Sequence, residues 1–441
     1  RRQRQMCIRD RIPGIPAHIG NLMQQGIDIR MKRTKSGDVY IQNSLFNVVK
    51  LLSELDEYKG RIIFDDFSDR VVFVAKDGTW QDFEDQHAND IRYYMEDRFY
   101  TSFNEKDIFS AAEIVAKRNR SNVLLDHIKS IKWDQQPRVE KILIDYFGVE
   151  NNSLNKAYGK RFMISIIARM FATIHNPVKV DTTLVLYGTQ GQYKSTALSI
   201  LALDHKFGRR FFQDTPFDMG NKDAHLMTQG KIIVELQELA KRSKDKEIEK
   251  SFLSLQIAKF RGPYKRCVQQ LCRKCVFVAT TNKNLILTDA TGSRRFWVVT
   301  VGAGKQNIYD NKGNKIEYVI DLDGLKRDID QLYAEAYKMY TDGEQWWLND
   351  TEEKARIKSS ADYTDRHPLY DTIKDTAERL STKGYVKVAE IIADMFNNPD
   401  IQNDKKHLEK STRQNKAIIT DALLDIGYKY SRRDKVRGWR K

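Results

Sequence analysis

The stretch LVLYGTQGQYKSTALSIL, residues 184–201, constrains the fold more than any other part of the chain. A short run rich in leucine and valine meets a loop with two glycines, and Lys-Ser-Thr then opens a pattern of helical period. This reads as a buried strand turning tightly into a helix. That unit builds open α/β sheets, whose ligands sit beyond the carboxyl ends of the strands. The loop nearly spells G-x-x-x-x-G-K-[ST], in which backbone N–H groups cradle phosphates, the lysine reaches the β/γ oxygens and a hydroxyl binds Mg²⁺. Gly188, Gly191, Lys194 and Ser195 supply these parts, and Thr189, Gln190, Gln192, Tyr193 and Thr196 complete the loop. Tyr193 stands where the motif has the glycine before its lysine. Because the chain is already entering the helix there, a negative φ is expected, with the ring pointing away from the phosphates. The bland alternative is a strand-to-helix turn that binds nothing.

Three more strands, over residues 231–236, 274–280 and 295–301, are expected beside the one at 182–187, each rich in Val, Ile or Phe. The first, in GKIIVELQEL, ends in Glu235 and Glu238. Hydrolysis of a phosphoanhydride needs a carboxylate at a strand's end to hold Mg²⁺ and orient water. Alternation puts the two acids on opposite sides of an ideal strand. Glu238, past the apolar part, is favoured as the group facing the metal, with Glu235 the other choice. The second, KCVFVATTNKN, runs into Thr280, Thr281 and Asn282, polar groups able to hydrogen-bond an attacking water. The third follows TGSRRF, where Arg294 or Arg295 could be delivered to a neighbouring subunit, as arginine fingers worth about 10³–10⁵ in rate are. Each motif alone is weak, and their order and spacing together carry the reading.

The chain's 441 residues carry 75 Lys+Arg against 60 Asp+Glu, a net charge of +15, which points to a polyanionic partner. The cations concentrate in two places. In IAKFRGPYKRC, Lys259, Arg261, Lys265 and Arg266 alternate with Phe260 and Tyr264 around a Gly-Pro turn. Such a mixture meets phosphates and stacks bases without reading sequence. At the C-terminal end, YKYSRRDKVRGWRK brings Lys429, Arg432, Arg433, Lys435, Arg437, Arg440 and Lys441 to a strand-turn-strand candidate. Three helical patterns precede it, the order of a winged-helix domain whose wing would lie on duplex phosphates. A charged turn and a basic tail without a target are the bland alternatives.

The longest apolar run, residues 162–174, carries Arg169 in its middle and reads as a core helix, not a membrane span. Four cysteines are too few for a secreted disulfide framework, and a reducing cytosol is expected. Cys267, Cys272 and Cys275 lack a nearby fourth ligand, so zinc is not expected. Residues 1–10, RRQRQMCIRD, have no signal-type apolar segment and read as the edge of a longer polypeptide.

Taken together, GTQGQYKST, GKIIVELQELA, FRGPYKR, VFVATTN and TGSRRFW resemble the virulence-associated E family. Its members are replication ATPases of phages, plasmids and genomic islands, similar to superfamily 3 helicases and to the helicase half of the poxvirus primase-helicase. The resemblance implies an α/β chain with a P-loop AAA+-like core, an N-terminal α+β or helical domain over residues 1–151, the core over 152–345 and a winged-helix-like domain over 346–441. It further implies ATP and Mg²⁺ as cofactors, a hexameric ring with nucleotide between subunits, and single-stranded DNA in a central pore gripped by the 259–266 segment. By position, Lys194 and Ser195 would be the phosphate lysine and Mg²⁺ ligand, Glu235 or Glu238 the acids, Asn282 the sensor, and Arg294 or Arg295 the finger. Many such relatives carry a primase module upstream, so the resemblance implies a primase or a replication-initiation protein as partner, in the bacterial cytosol. A non-hydrolysing origin-binding protein with a spoiled loop, or an ATP-dependent helicase loader, are the competing readings.

Overall fold

The computed structural model describes residues 15–208, 210–221, 223–237, 246–260, 268–282, 293–304, 319–360, 363, 369–381, 384–397, 412–433 and 436–440.

Short β-branched runs broken by Gly, Asp and Ser build the N-terminal module. Helix α1 (Ala17–Gln24) leads to a two-stranded hairpin, β1 (Met31–Arg33) and β2 (Val39–Ile41), and then to α2 (Leu45–Glu54). A four-stranded sheet of order β5–β4–β3–β6 follows, made by β3 (Ile62–Asp65), β4 (Arg70–Val74), β5 (Trp80–Asp82) and β6 (Arg120–Ser121). Helices α3 (Asp85–Phe99) and α4 (Glu105–Arg118) separate its last two strands. In α4, Ile108, Ala111, Ala112 and Val115 recur at helical spacing and are buried on one face. They join a cluster that runs from Ile19 to Ala116.

Helix α5 (Val123–Ser130) opens a second and larger core, which continues through α6 (Ser153–Met170). Phe67 apart, the two cores part between Ala116 and Leu124, inside the 1–151 stretch that the sequence reading took as the N-terminal domain. Leu124, Ile142 and Phe147 pack with the residues of the α/β sheet, a tertiary continuity that no local composition shift announces. Helix α6 is buried nearly all round. Its Arg169 is fully buried and donates from Nη1 to the Arg273 carbonyl at 3.1 Å and from Nη2 to the Val180 carbonyl at 2.8 Å. Burial pulls the Arg169 pKa down to about 10.

The central sheet has five parallel strands in the order β13–β7–β12–β9–β8. These are β7 (Thr183–Tyr187), β8 (Phe212–Gln213), β9 (Ile233–Gln237), β12 (Val276–Thr281) and β13 (Phe296–Thr300). The continuous apolar runs expected at four of them are the signature of strands covered on both faces, and β12 is buried along its whole length. Strand β8, only two residues long, carried no such signal. After β7 the chain enters α7 (Lys194–Leu201), crosses to the far edge at β8, and steps back through β9 and β12 before β13 adds on the other side of β7. The strand order therefore reverses at β7, which places the loop after it in the crevice where α/β sheets bind ligands. Between β9 and β12 lie α8 (Lys246–Ser254) and an antiparallel hairpin, β10 (Ile257–Phe260) and β11 (Gln269–Cys272). Helix α9 (Leu322–Thr341) packs on α6, α7 and α5, and α10 (Asp350–Ser360) packs on α6.

The C-terminal unit has three helices, α11 (Tyr370–Leu380), α12 (Val388–Asn397) and α13 (Thr412–Asp425), followed by the antiparallel pair β14 (Lys429–Arg433) and β15 (Val436–Arg440). A bridge from Val386 to Trp439 ties the α11–α12 connection to this pair. Among the described residues, no helix is long and apolar enough to cross a membrane.

Candidate functional site

The site starts where β7 ends. Gly188 donates its N–H to the Thr281 carbonyl at 3.1 Å, and a Cβ on Gly188 would lie 3.3 Å from Val301 Cβ. Gly191 has φ of +85°, a conformation that favours glycine. Tyr193 also departs from the sequence expectation: its φ is +57° and ψ 29°, left-handed, where a negative φ was expected. The reason is geometric. Tyr193 caps α7, accepting the Ala197 N–H at 3.0 Å, and the chain must pass through the left-handed region to aim the helix N-terminus at the loop. The motif has glycine at this position, and the backbone here takes the left-handed conformation that favours glycine. Tyr193 remains 43% exposed.

Lys194 folds back over the loop and donates from Nζ to the carbonyls of Gly188 at 2.9 Å and Thr189 at 2.8 Å. Burial lowers its pKa, and the Glu235 carboxylate opposes that shift. Ser195 Oγ donates to Glu235 Oε1 at 2.8 Å, and Thr280 Oγ1 donates to the same oxygen at 2.6 Å. Glu235 is fully buried, and its second oxygen, Oε2, has no hydrogen-bond partner among the described residues. Two hydroxyls from two other elements thus fix one carboxylate oxygen and leave the other unsatisfied. Such an orphan is costly inside a protein and fits a position where a cation or water completes the set.

These groups line one open cleft of about 510 Å³, bounded by residues 190–196 of the loop and by Glu235, Gln237, Thr280, Thr281 and Asn282. Strands β9 and β12 contribute their carboxyl-terminal halves, and the loop that follows β7 contributes the rest. Gln192 Nε2 donates to Thr189 Oγ1 at 3.1 Å, which braces the loop's outer arc. Of the two acids weighed from the sequence, Glu235 meets Ser195, while Glu238 lies outside the described residues. The hydrogen bond from Thr280 to Glu235 was missed. Alternation along β12 gave the signal, because Thr280 and Asn282 share a face.

Arg294 and Arg295 lie in a turn before β13, outside the residues that line this cleft. Arg294 is exposed, and the half-buried Arg295 donates from Nη2 to Ser254 Oγ at 3.4 Å. In the basic segment, β10 and β11 form the stem of a hairpin with Lys259 exposed. Arg261, Tyr264, Lys265 and Arg266 lie outside the described residues. At the C-terminal end, Lys429 and Arg440 face each other across the β14–β15 pair. Lys435 and the side chains of Arg432, Arg433 and Arg437 lie outside the described residues.

Three structures of the C-terminal region of NrS-1 resemble the chain. The apo structure of region 305–718 shares 10% identity at a TM-score of 0.45, covering 86% of this chain and 95% of that one. Its A form shares 10% identity at a TM-score of 0.43, and a further A-form structure shares 12% at 0.41, both with the same coverage. No curated protein matches the chain. The virulence-associated protein E-like domain family matches residues 128–365, beginning close to the point where the second hydrophobic core begins. That match takes in β7, β9, β12, β13 and every residue of the cleft, and it spans more than half of the sequence: the chain belongs to the virulence-associated protein E-like family.

Proposed function

We propose that this protein is an ATP- and Mg²⁺-dependent motor that moves on DNA during replication of a mobile genetic element, working as a ring, in the hexameric form the family resemblance implies. The observation that carries the reading is the meeting of Lys194, Ser195 and Glu235 in one cleft at the carboxyl ends of three parallel strands. The strand order supports an AAA+ core, because β12 with its polar tip lies between the phosphate-loop strand β7 and the acidic strand β9. Three helices, an antiparallel pair and the Val386–Trp439 bridge support a winged-helix reading of the C-terminal unit.

In this mechanism the N–H groups at the start of α7 donate to the nucleotide's phosphates. Lys194 exchanges the carbonyls of Gly188 and Thr189 for β/γ oxygens. Ser195 and Glu235 would hold Mg²⁺, which neutralises charge on the transferring phosphoryl group. The orphaned Glu235 Oε2 and the Ser195 hydroxyl fit that ion. Asn282, at the end of β12, orients the attacking water. Arg294 or Arg295 reaches a neighbour's cleft and stabilises the developing charge. The β10–β11 hairpin grips single-stranded DNA, and the β14–β15 pair meets duplex phosphates. A primase is a fitting partner for such a motor.

The test is Lys194→Ala. DNA-stimulated hydrolysis should vanish while the circular dichroism spectrum stays as in the parent. Full turnover in the variant rejects the assignment. Failure of the parent to bind ATP at millimolar concentration, with salt-dependent duplex binding intact, would favour a non-hydrolysing origin binder.

A further inference from the structure

The β1–β2 hairpin of the N-terminal module lies far in sequence from both basic segments discussed above, and nothing in the proposed motor uses it. It runs RMKRTKSGDVYI over residues 30–41 and carries Arg30, Lys32, Arg33 and Lys35 against one acid, Asp38. All four cations are exposed, and none forms an ion pair among the described residues. Elsewhere in the module cations do find acids, as in Lys50–Glu54 at 2.9 Å, Lys117–Glu113 at 2.8 Å and Arg120–Asp66 at 2.6 Å. The hairpin's own acid is engaged within the turn, with Asp38 Oδ2 accepting from Ser36 Oγ at 2.7 Å. The field above the hairpin is therefore positive and locally uncompensated.

Register adds an aromatic to this surface. Tyr40 pairs directly with Lys32, and both point away from the core, while the alternating Val39 and Ile41 are buried. Tyr40 is 43% exposed, which leaves its ring open to a ligand.

The hairpin is also held firmly. Asn47, fully buried in α2, accepts the Arg30 N–H at 2.7 Å and donates to the carbonyls of Arg30 and Gln42, both at 2.7 Å. At the other end, Thr34 N–H donates to the Asp38 carbonyl at 2.9 Å. A flexible basic loop would lose ordering entropy on binding, and a clamped hairpin loses little.

We infer that the outer face of the β1–β2 hairpin, with Lys32, Arg33, Lys35 and Tyr40, is a binding site for a single-stranded polynucleotide. The cations meet phosphates, and the Tyr40 ring stacks an unpaired base. A duplex offers no free base face to such a ring, and three residue pairs are too short a ribbon to read along a groove. The site needs neither ATP nor the cleft.

The experiment uses the full chain and fluorescent oligo(dT) and oligo(U), with duplex DNA as the third arm, over a range of salt. Lys32→Ala, Arg33→Ala and Lys35→Ala combined should lower the slope of log affinity against log salt by about 2, at ~0.7 for each phosphate that no longer meets a cation. Tyr40→Ala should weaken oligonucleotide binding roughly five- to tenfold, and Tyr40→Phe should restore it. The two oligonucleotides distinguish DNA from RNA as the strand preferred. Unchanged slope and affinity in both variants overturn the proposal, as does a loss confined to duplex DNA or a Tyr40→Phe variant as weak as Tyr40→Ala. Lys194→Ala separates this site from the motor: it should abolish turnover and leave the hairpin-dependent part of binding intact.

Discussion

Replacing Tyr193 by glycine and, separately, by alanine tests the unusual backbone of the loop after β7. Both changes remove the same half-exposed ring, so their difference isolates the φ of +57°. A residue with a Cβ in the left-handed region costs about 1–2 kcal/mol relative to its ordinary conformations. Alanine keeps that cost and glycine sheds it. Glycine in turn gains unfolded-state freedom, a penalty of about 0.4–1 kcal/mol. Tyr193→Gly should therefore be more stable than Tyr193→Ala by roughly 0.5–1 kcal/mol, the reverse of their ranking inside a helix. Urea unfolding followed by fluorescence, with both variants at the same slope, reads this difference. An alanine variant equal to or more stable than the glycine one would refute the left-handed assignment. Glycine also restores the motif's usual residue, so its ATP affinity should match or exceed the parent's.

Thr280→Val removes one of the two hydroxyls that fix Glu235 Oε1. Turnover should fall about 10- to 100-fold with little change in KM for ATP, and Thr280→Ser should recover most of it. Arg169→Met leaves the buried carbonyls of Arg273 and Val180 without their donor, at an expected loss of about 2–4 kcal/mol measured by urea denaturation. Burial lowers the pKa of His18, His205 and His225 below 6.5. Below 6.5 the unfolded chain takes up protons first, so stability is full above that pH and falls as acidification proceeds toward the folded-state values. The unfolding midpoint should drop between pH 7.5 and 5.5, and His225→Gln should shrink the drop.

Much of the cleft was legible because its chemistry is local. Gly188 to Thr196 follow one another along a strand-loop-helix, and the apolar runs leading to Glu235 and Thr280 and following Arg295 announced three of the other strands. The choice between Glu235 and Glu238 was not legible. It depends on which side of β9 faces α7, and that is set by the pairing of β9 with β12. The left-handed Tyr193 was hidden for a similar reason: its place at the helix entry argued for a negative φ, but it lies one residue before the helix, at the N-cap, where the backbone is not yet helical. The place where the two cores part was not legible, because Leu124, Ile142 and Phe147 look like any helix-face residues until their partners across the fold are known.

The turn between β3 and β4 sends Phe67 out of the N-terminal module and into the sheet's own core, edge-on to Phe211 at 5.4 Å between ring centres. Around it, Lys274 donates to the Asp66 carbonyl, Gln229 Nε2 reaches the Ser68 carbonyl at 2.8 Å, and Arg210 pairs with Asp65 at 3.4 Å. The module is plugged in like a cork. A chain trimmed to begin near residue 120 would leave an oily socket beside Phe211 and strand two cations, so the trimmed protein should aggregate on warming well before the whole chain melts.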